Sequence, residues 1–119
     1  MQYMLLIYQN EKAWDAMTEA ERKQQFGAYM KFTEDVKQSG HLRAGDALQP
    51  ISKATTVRVR GGKTQTTDGP FAETREQLGG YYLIEAKDLD EATKIAARIP
   101  DAAIGNGSIE IRPVMVFDK

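Results

Sequence analysis

The chain has no cysteine and a single histidine among its 119 residues, and these shortages exclude several kinds of site. Without cysteine there is no disulfide, no thiolate metal centre and no cysteine nucleophile. A tight transition-metal site needs several nitrogen or sulfur ligands, and His41 alone does not supply them. We therefore expect neither a bound metal nor a cofactor.

The chain also lacks a charge excess and a long apolar run. Its 16 basic and 17 acidic residues give a formal net charge of −1, which provides no net attraction for phosphate backbones or anionic lipid. The apolar stretch from Tyr3 to Tyr8 is too short for a signal sequence or a membrane span and is typical of a buried strand. We expect a cytoplasmic protein that binds neither nucleic acid nor membrane.

The sequence does contain strand and helix signals, in a length that fits one domain over residues 1–119. Thr18 and Glu21 form a capping box that predicts a helix over residues 18–39, and Gly40 ends it. Asp88 and Glu91 begin a second helix that ends at Pro100. Residues 10–17 are read as a loop or a loose helical turn, 72–77 as a short helical turn and 100–108 as a loop. Strands are predicted at 3–8, 42–48, 55–60, 63–67, 81–86 and 109–117.

This element order predicts an α+β fold. Two helices lie on one face of an antiparallel sheet, as in the ferredoxin-like split βαβ arrangement, with an added hairpin turning at Gly61-Gly62. Pro113 predicts either an edge position for the last strand or a bulge within it. Strands 3–8, 81–86 and 109–117 are apolar on both sides, so the helix-free face predicts a homodimer. The alternative is that hairpin 55–67 folds over this face within one chain.

Charged residues follow the hairpin, in a segment that begins Asp68-Gly69-Pro70-Phe71 and continues to Glu73 and Arg75. In the structural interpretation the motif is a tight turn with Phe71 as its core anchor. In the functional interpretation, residues 69–71 line a ligand site. Arg75 would hold a substrate carboxylate while Asp68 or Glu73 moves a proton.

Three residues outside this segment are further candidates. Asp46 is an acid among small residues and is predicted to bind the same ligand, whereas Arg112 is either an anion clamp or part of an interface ion pair. His41 would act in a relay with Ser39, Ser52 or Ser108, although none of these serines has a nucleophile-elbow context. Alternatively, His41 is a turn residue that favours the dipole of the preceding helix.

The stretch from Thr67 to Tyr82, TDGPFAETREQLGGYY, closely resembles the signature of the DGPF proteins, a branch of the YciI-related family. The start YMLLIY (residues 3–8) and the end IRPVM (residues 111–115) resemble that family's two termini. The resemblance implies a ferredoxin-like fold whose sheets pair into a dimeric α+β barrel. Some relatives in the wider family are small-molecule lyases with a histidine in the first helix and an aspartate, but residues 18–39 contain no histidine.

Two functions follow from these observations. The first is a dimeric barrel that binds a small organic acid, with acid–base chemistry centred on the DGPF segment. The second is a non-catalytic accessory or regulatory module, because the resemblance implies genes that often neighbour those of extracytoplasmic-function sigma factors. Whether the protein is an enzyme is left open by the sequence.

Overall fold

The structure is a computed structural model that describes residues 1–103, 105 and 107–117. A 3-10 turn at Ile51–Lys53 lies between its second and third strands. The elements in chain order are β1 (Gln2–Gln9), α1 (Glu11–Asp15), α2 (Glu19–Gln38), β2 (Leu42–Ala47), β3 (Thr55–Arg60), β4 (Lys63–Asp68), β5 (Gln77–Glu85), α3 (Leu89–Ala96), α4 (Pro100–Ala103) and β6 (Ser108–Pro113).

Four strands form one sheet in the order β2-β5-β1-β6, and every neighbouring pair is antiparallel. Strands β3 and β4 form a separate two-stranded sheet. The order is that of a split βαβ fold with a hairpin inserted between β2 and β5. The α+β, ferredoxin-like prediction is therefore confirmed, and Pro113 does lie in an edge strand.

The core lies between the helices and one face of this sheet. Alternate residues of β1, namely Tyr3, Leu5 and Ile7, are buried there, as the two-residue period of a strand requires. Burying a side chain such as Leu5 stabilises the fold by about 1.5–3 kcal/mol. The rest of the buried cluster comes from α2, β5 and the α3 region: Phe32, Val36, Tyr82, Ile84, Ala86, Ala92, Ile95, Ala96 and Ile99.

Both predicted helix starts are confirmed. The Thr18 hydroxyl accepts a hydrogen bond from the Glu21 amide at 3.1 Å, and the Glu21 carboxylate accepts one from the Thr18 amide at 2.9 Å. The Asp88 carboxylate accepts a bond from the Glu91 amide at 2.9 Å. Each cap satisfies backbone donors that the helix itself leaves free, which fixes where the helices begin.

Several predicted boundaries were wrong. Residues 72–77 form no helical turn, so that prediction was wrong. The short helix α1 at residues 11–15 agrees with the helical-turn reading of residues 10–17 and not with the loop. The predicted loop over 100–108 instead begins as α4, while its residues 104 and 106 lie outside the described part of the chain. The last strand ends at Pro113, and residues 114–117 are not strand.

Strand β5 begins at Gln77, four residues before the prediction, so Gly79-Gly80 lies inside the strand. A Cβ at Gly80 would lie 2.8 Å from the backbone oxygen of Asp46. The glycine therefore permits the close approach of β2, and the pair that suggested a break in the sequence is needed for strand pairing.

The hairpin formed by β3 and β4 projects from the domain. Within the described part of the chain, no hydrogen bond joins residues 55–68 to the four-stranded sheet. Val57 and Val59 are each 58% exposed. The alternative in which this hairpin covers the open face of its own sheet is therefore wrong.

The open face carries an apolar centre with charged side chains at its edges. Met4 pairs with Leu83, and Leu6 pairs with Tyr81, on the two central strands. On the edge strands, Asp46 pairs with Tyr81, Glu110 with Leu6 and Arg112 with Met4. Directly paired residues share a face, so all these side chains belong to the side away from the helices.

Candidate functional site

A cavity of about 280 Å³ lies where α1 meets the segment that leads into β5. Hydrogen bonds between side chains and the backbone hold its wall. The Gln77 side-chain oxygen (Oε1) accepts from the Glu11 backbone amide at 3.0 Å, and the Gln77 side-chain nitrogen (Nε2) donates to the Thr74 backbone oxygen at 2.5 Å. The Glu11 carboxylate in turn accepts from the Ile51 amide at 3.1 Å. Three loops are thereby joined around the cavity, which is lined by Asn10, Lys12, Thr74, Arg75 and Gln77.

The charge of the cavity lining is positive. Lys12 and Arg75 contribute two cations, and no acidic side chain is among the lining residues. Neither cation forms a salt bridge within the described part of the chain. Such a lining suits an anion, because the guanidinium of Arg75 can bind a carboxylate through two parallel hydrogen bonds.

The Asp68-Gly69-Pro70 turn follows strand β4 at the base of the hairpin, and none of its residues lines the cavity. The Gly69 amide donates to the Ala54 oxygen at 2.7 Å, and the Gly69 oxygen accepts from the Thr56 hydroxyl at 2.9 Å. Gly69 has φ +98°, a region that favours glycine over any side chain. These backbone bonds define the turn, and the Asp68 carboxylate makes no hydrogen bond to the residues that the structure describes.

The remaining side chains of the DGPF segment are exposed. Phe71 is 79% exposed, so its predicted role as a core anchor is wrong. Pro70 is half-buried beside the turn, and Glu73 is exposed. Of the residues that the sequence singled out in this segment, the structure places Arg75 alone in the cavity wall.

Asp46 and Arg112 lie on the open face of the sheet, on opposite edge strands. Three strand spacings of about 4.8 Å separate these edges, so the two side chains do not share a site with each other in one chain, and neither lines the cavity that contains Arg75. The Asp46 carboxylate instead accepts a hydrogen bond from the Tyr81 hydroxyl at 2.7 Å. That bond and the nearby negative charge raise the pKa of Tyr81.

His41 lies between a serine and a glutamate. Its Nδ1 is 2.7 Å from the Ser39 hydroxyl, and its Nε2 is 3.3 Å from the Glu91 carboxylate. The Ser39 hydroxyl donates its hydrogen to the Val36 oxygen at 3.0 Å, so the serine is engaged as a helix-end residue rather than poised as a nucleophile. The geometry joins the end of α2 to the start of α3.

The sequence is similar to that of known proteins over almost its whole length. The model of the YCII-related domain matches residues 1–118. The chain belongs to the YCII-related family. An uncharacterized protein of Rhizobium meliloti (strain 1021), R00369, is 35% identical over 117 residues, which cover 98% of this chain and 94% of that protein. The family predicted from the DGPF stretch and the two termini is confirmed.

This YCII-related chain also contains a buried acid that sequence reasoning missed. Asp101 in α4 is 7% exposed, and its carboxylate accepts from the Gln9 amide at 2.9 Å, the Gln25 amide at 3.4 Å and the Tyr29 hydroxyl. Burial, together with the Asp101 carboxylate, raises the pKa of Tyr29 far above its ordinary value. The cluster links α4 to β1 and α2, and nothing in the residue pattern around Pro100 indicated it.

Residues 1–103, 105 and 107–117 contain no group of three or more acids or histidines arranged to hold a metal ion. Within the same residues, no helix is long and apolar enough to cross a membrane.

Proposed function

We propose that this protein is a homodimer that binds a small organic acid in the cavity lined by Lys12 and Arg75. The observation that carries the proposal is the cavity itself, in which two cations face about 280 Å³ of space with no acidic side chain in the lining. An anion entering it would neutralise two charges that form no salt bridge with the described residues. A carboxylate fits the planar guanidinium of Arg75, and Lys12 supplies a second positive charge.

The size and polarity of the cavity limit the ligand. Small-molecule sites usually occupy about 300–1,000 Å³, so this cavity of about 280 Å³ lies just below that range. Asn10, Thr74 and Gln77 add polar groups to the wall. We therefore expect a ligand of few atoms with one or two carboxylates and hydroxyl or amide groups.

Acid–base chemistry at the bound ligand is the further part of this proposal. Glu73 precedes Arg75 by two residues, and its carboxylate makes no hydrogen bond to the described residues. Among the acids of the DGPF segment that make no such bond, Glu73 is the nearest to Arg75 in the chain, and we assign to it the proton exchange with a ligand held by Arg75. Asp68 precedes Glu73 in the chain, at the end of β4, and is therefore farther from Arg75 in sequence.

The homodimer is supported by the amount of exposed surface. The chain exposes 8732 Å², whereas a compact monomer of 13.3 kDa exposes about 6,450 Å² by the usual mass scaling. The surplus is larger than the ~800 Å² per partner of a standard interface. The open face, with half-buried Met4, Leu6 and Leu83 at its centre, contributes apolar area to that surface.

The ligand proposal is tested by thermal denaturation with a panel of anions: acetate, succinate, benzoate and inorganic phosphate. A ligand at 100 times its dissociation constant should stabilise the protein by about 2.7 kcal/mol. Arg75→Ala should abolish the effect of the carboxylates. Arg58→Ala on the hairpin removes the same charge away from the cavity and is the matched control. The proposal would be contradicted if no carboxylate stabilised the wild type, or if the carboxylates stabilised the wild type and Arg75→Ala equally.

The alternative is a non-catalytic accessory or regulatory module linked to sigma-factor signalling. One observation favours it, namely that no acid lines the cavity, so a bound ligand would touch no proton carrier there. The two functions differ in turnover. NMR spectra of a stabilising ligand, incubated with excess protein, would show conversion in the first case and an unchanged ligand in the second. Co-elution with an extracytoplasmic-function sigma factor would support the alternative.

A further inference from the structure

Helix α1 carries one of the two cations of the cavity, yet it takes no part in the hydrophobic core. It has 5 residues, and none of them is buried. Helices shorter than about 12–15 residues are marginal in water on their own. Lys12 lies in α1, lines the cavity and is exposed. The position of this cation therefore depends on the contacts that hold α1 to the rest of the domain.

Polar contacts fix the N-terminal end of α1 beside the cavity. The Asn10 side-chain oxygen accepts a hydrogen bond from the Ala13 amide at 3.1 Å, which makes Asn10 the N-cap of the helix. The bond from the Glu11 amide to Gln77, described above, joins the same end to the cavity wall. These contacts determine where the helix begins, but they do not bond the carbonyl groups at its other end.

The side chain of Arg22 supplies the contact at the C-terminal end of α1. Its Nε donates to the Trp14 backbone oxygen at 3.1 Å, and its Nη2 donates to the Asp15 backbone oxygen at 2.9 Å. Both carbonyl groups belong to the last turn of the helix, where backbone acceptors need partners from outside it. The planar guanidinium reaches both of them at once. Arg22 therefore caps α1 from the neighbouring helix.

Arg22 also contacts the side chain of Trp14. Its guanidinium carbon lies 5.6 Å from the centre of the indole ring, within the ~6 Å over which a cation is attracted to an aromatic face. Arg22 is itself well placed to act as an anchor. It lies in the first turns of α2, directly after the capping box, and its amide donates to the Thr18 oxygen at 3.0 Å. The end of α1 is thus fastened to the start of α2.

We infer that Arg22 is a positioning residue for the cavity, because it holds α1 in place and thereby keeps the Lys12 ammonium at the ligand. This inference rests on the proposed binding of a small organic acid and adds a residue that does not touch that ligand. Arg22 does not line the cavity, and its two hydrogen bonds go to backbone oxygens of α1. Its effect on the ligand is therefore exerted through Lys12.

Isothermal titration calorimetry with acetate, succinate and benzoate tests this coupling. For a carboxylate that binds the wild type, Lys12→Ala should raise the dissociation constant about tenfold or more, because a hydrogen bond to a charged group contributes at least that much. Arg22→Gln should raise it roughly fivefold, because a site that loses its supporting contacts holds its ligand less tightly. In the Lys12→Ala background, Arg22→Gln should add less than about a twofold change, since residues that act through one another are not additive.

Arg98→Gln is the matched control. The guanidinium carbon of Arg98 lies 5.8 Å from the centre of the Phe32 ring, so this arginine makes the same kind of aromatic contact, but it does not line the cavity. Its removal should leave the dissociation constant unchanged. Equal weakening by Arg98→Gln and Arg22→Gln would show a general effect of lost positive charge and would overturn the positioning role.

Trp14 reports on α1 without any ligand, because it is the single tryptophan of the chain. Its side chain is 41% exposed, so release of the helix end in Arg22→Gln should raise the acrylamide quenching constant of its fluorescence about twofold. Arg98→Gln should leave the quenching unchanged. An unchanged signal in Arg22→Gln would overturn the role of Arg22, whatever the ligand.

The two proposals fail in different ways. If the wild type bound none of the three carboxylates, the proposed function would fail, and Arg22 would have no ligand to serve. If the wild type bound a carboxylate and Arg22→Gln bound it as tightly, Arg22 alone would lose its role. The same holds if Arg22→Gln weakened binding equally with and without Lys12, because Arg22 would then act on the ligand independently of α1.

Discussion

The Tyr81 hydroxyl donates a hydrogen bond to the Asp46 carboxylate at 2.7 Å, across the β5–β2 pair at the edge of the sheet. Both side chains lie on the open face, where no helix covers them. The hydrogen bond to Asp46 holds the phenol proton, and losing that proton would also place a second negative charge beside the carboxylate, so the pKa of Tyr81 is raised. Among the residues that the structure describes, this is the one side-chain hydrogen bond that joins β5 to the edge strand β2 on the open face.

Asp46→Asn should lower the pKa of Tyr81 toward the usual value of about 10. Asparagine still accepts a hydrogen bond from the phenol, but it removes the charge that opposes ionisation. The measurement is an NMR titration of the tyrosine Cζ resonances, with Tyr81→Phe used to assign the signal. Glu110→Gln, on the opposite edge of the same face, is the control for a general loss of negative charge. An unchanged Tyr81 titration in Asp46→Asn would contradict the direct bond.

The stability of the protein should fall in acid partly through Glu91. The Lys87 amide donates to its carboxylate at 3.0 Å, and this bond, with a smaller contribution from His41, lowers the pKa of Glu91 in the folded state. The unfolded chain has the ordinary value of about 4.3. A lowered folded-state pKa means that the stabilisation is present above pH 4.3 and is lost as the pH falls through the folded-state value.

Glu91→Gln should therefore flatten the acid limb of the stability profile. Glutamine keeps an acceptor for the Lys87 amide but has no proton to take up. Thermal melts between pH 3 and 6 provide the comparison, with Glu19→Gln as a control that removes a helix-start carboxylate elsewhere. If the wild type and Glu91→Gln lose stability in parallel, the bond from Lys87 does not favour the charged carboxylate.

The DGPF turn should depend on its glycine more than on its aspartate. Asp68→Asn and Asp68→Ala should each change the free energy of unfolding by less than about 0.5 kcal/mol, because the carboxylate bonds none of the described residues. Gly69→Ala should cost about 1 kcal/mol or more, because alanine is strained at φ +98°. Urea denaturation measures all three. If either Asp68 variant lost the binding of a panel anion while remaining stable, the aspartate would have a functional role after all.

The parts of the fold that local chemistry determines could be predicted from the sequence. The capping box at Thr18 and Glu21 needs residues three apart, and the turn at Gly61-Gly62 needs two adjacent ones. The start of β5 could not be predicted in this way. Gly80 is required because the Asp46 backbone of another strand lies against it, and that contact exists in the folded sheet alone.

Less of the candidate site could be predicted, because its residues are brought together by contacts between segments that are far apart in the sequence. Arg75 was expected as an anion clamp, but its companion Lys12 is 63 residues earlier, and no pattern joins the two. Tyr81 was assigned to an apolar strand, and its bond to Asp46 depends on the register between β2 and β5. Phe71 was expected in the core because it is large and apolar, whereas the turn at Gly69 directs the chain outward.

Asp101 provides the sharpest test of what holds the helices to the sheet. Its buried carboxylate accepts hydrogen bonds from Gln9 on β1 and from Gln25 and Tyr29 on α2. Asp101→Ala would leave these donors without an acceptor in a buried place. Each unsatisfied buried donor costs about 1–3 kcal/mol, so we expect a loss of roughly 3 kcal/mol in the free energy of unfolding.

Asp101→Asn should cost less, about 1 kcal/mol, because its amide keeps one acceptor oxygen but turns a donor toward one of the remaining partners. Gln25→Ala is the control, since its bond to Asp101 is long, at 3.4 Å, and its side chain is partly exposed. Urea denaturation at pH 7 ranks the three variants. We expect the largest loss of unfolding free energy for Asp101→Ala, a smaller loss for Asp101→Asn and the smallest for Gln25→Ala, because this is the order in the number of buried donors left unpaired. If Asp101→Ala were as stable as Gln25→Ala, the carboxylate would not be what fastens α4 to β1 and α2.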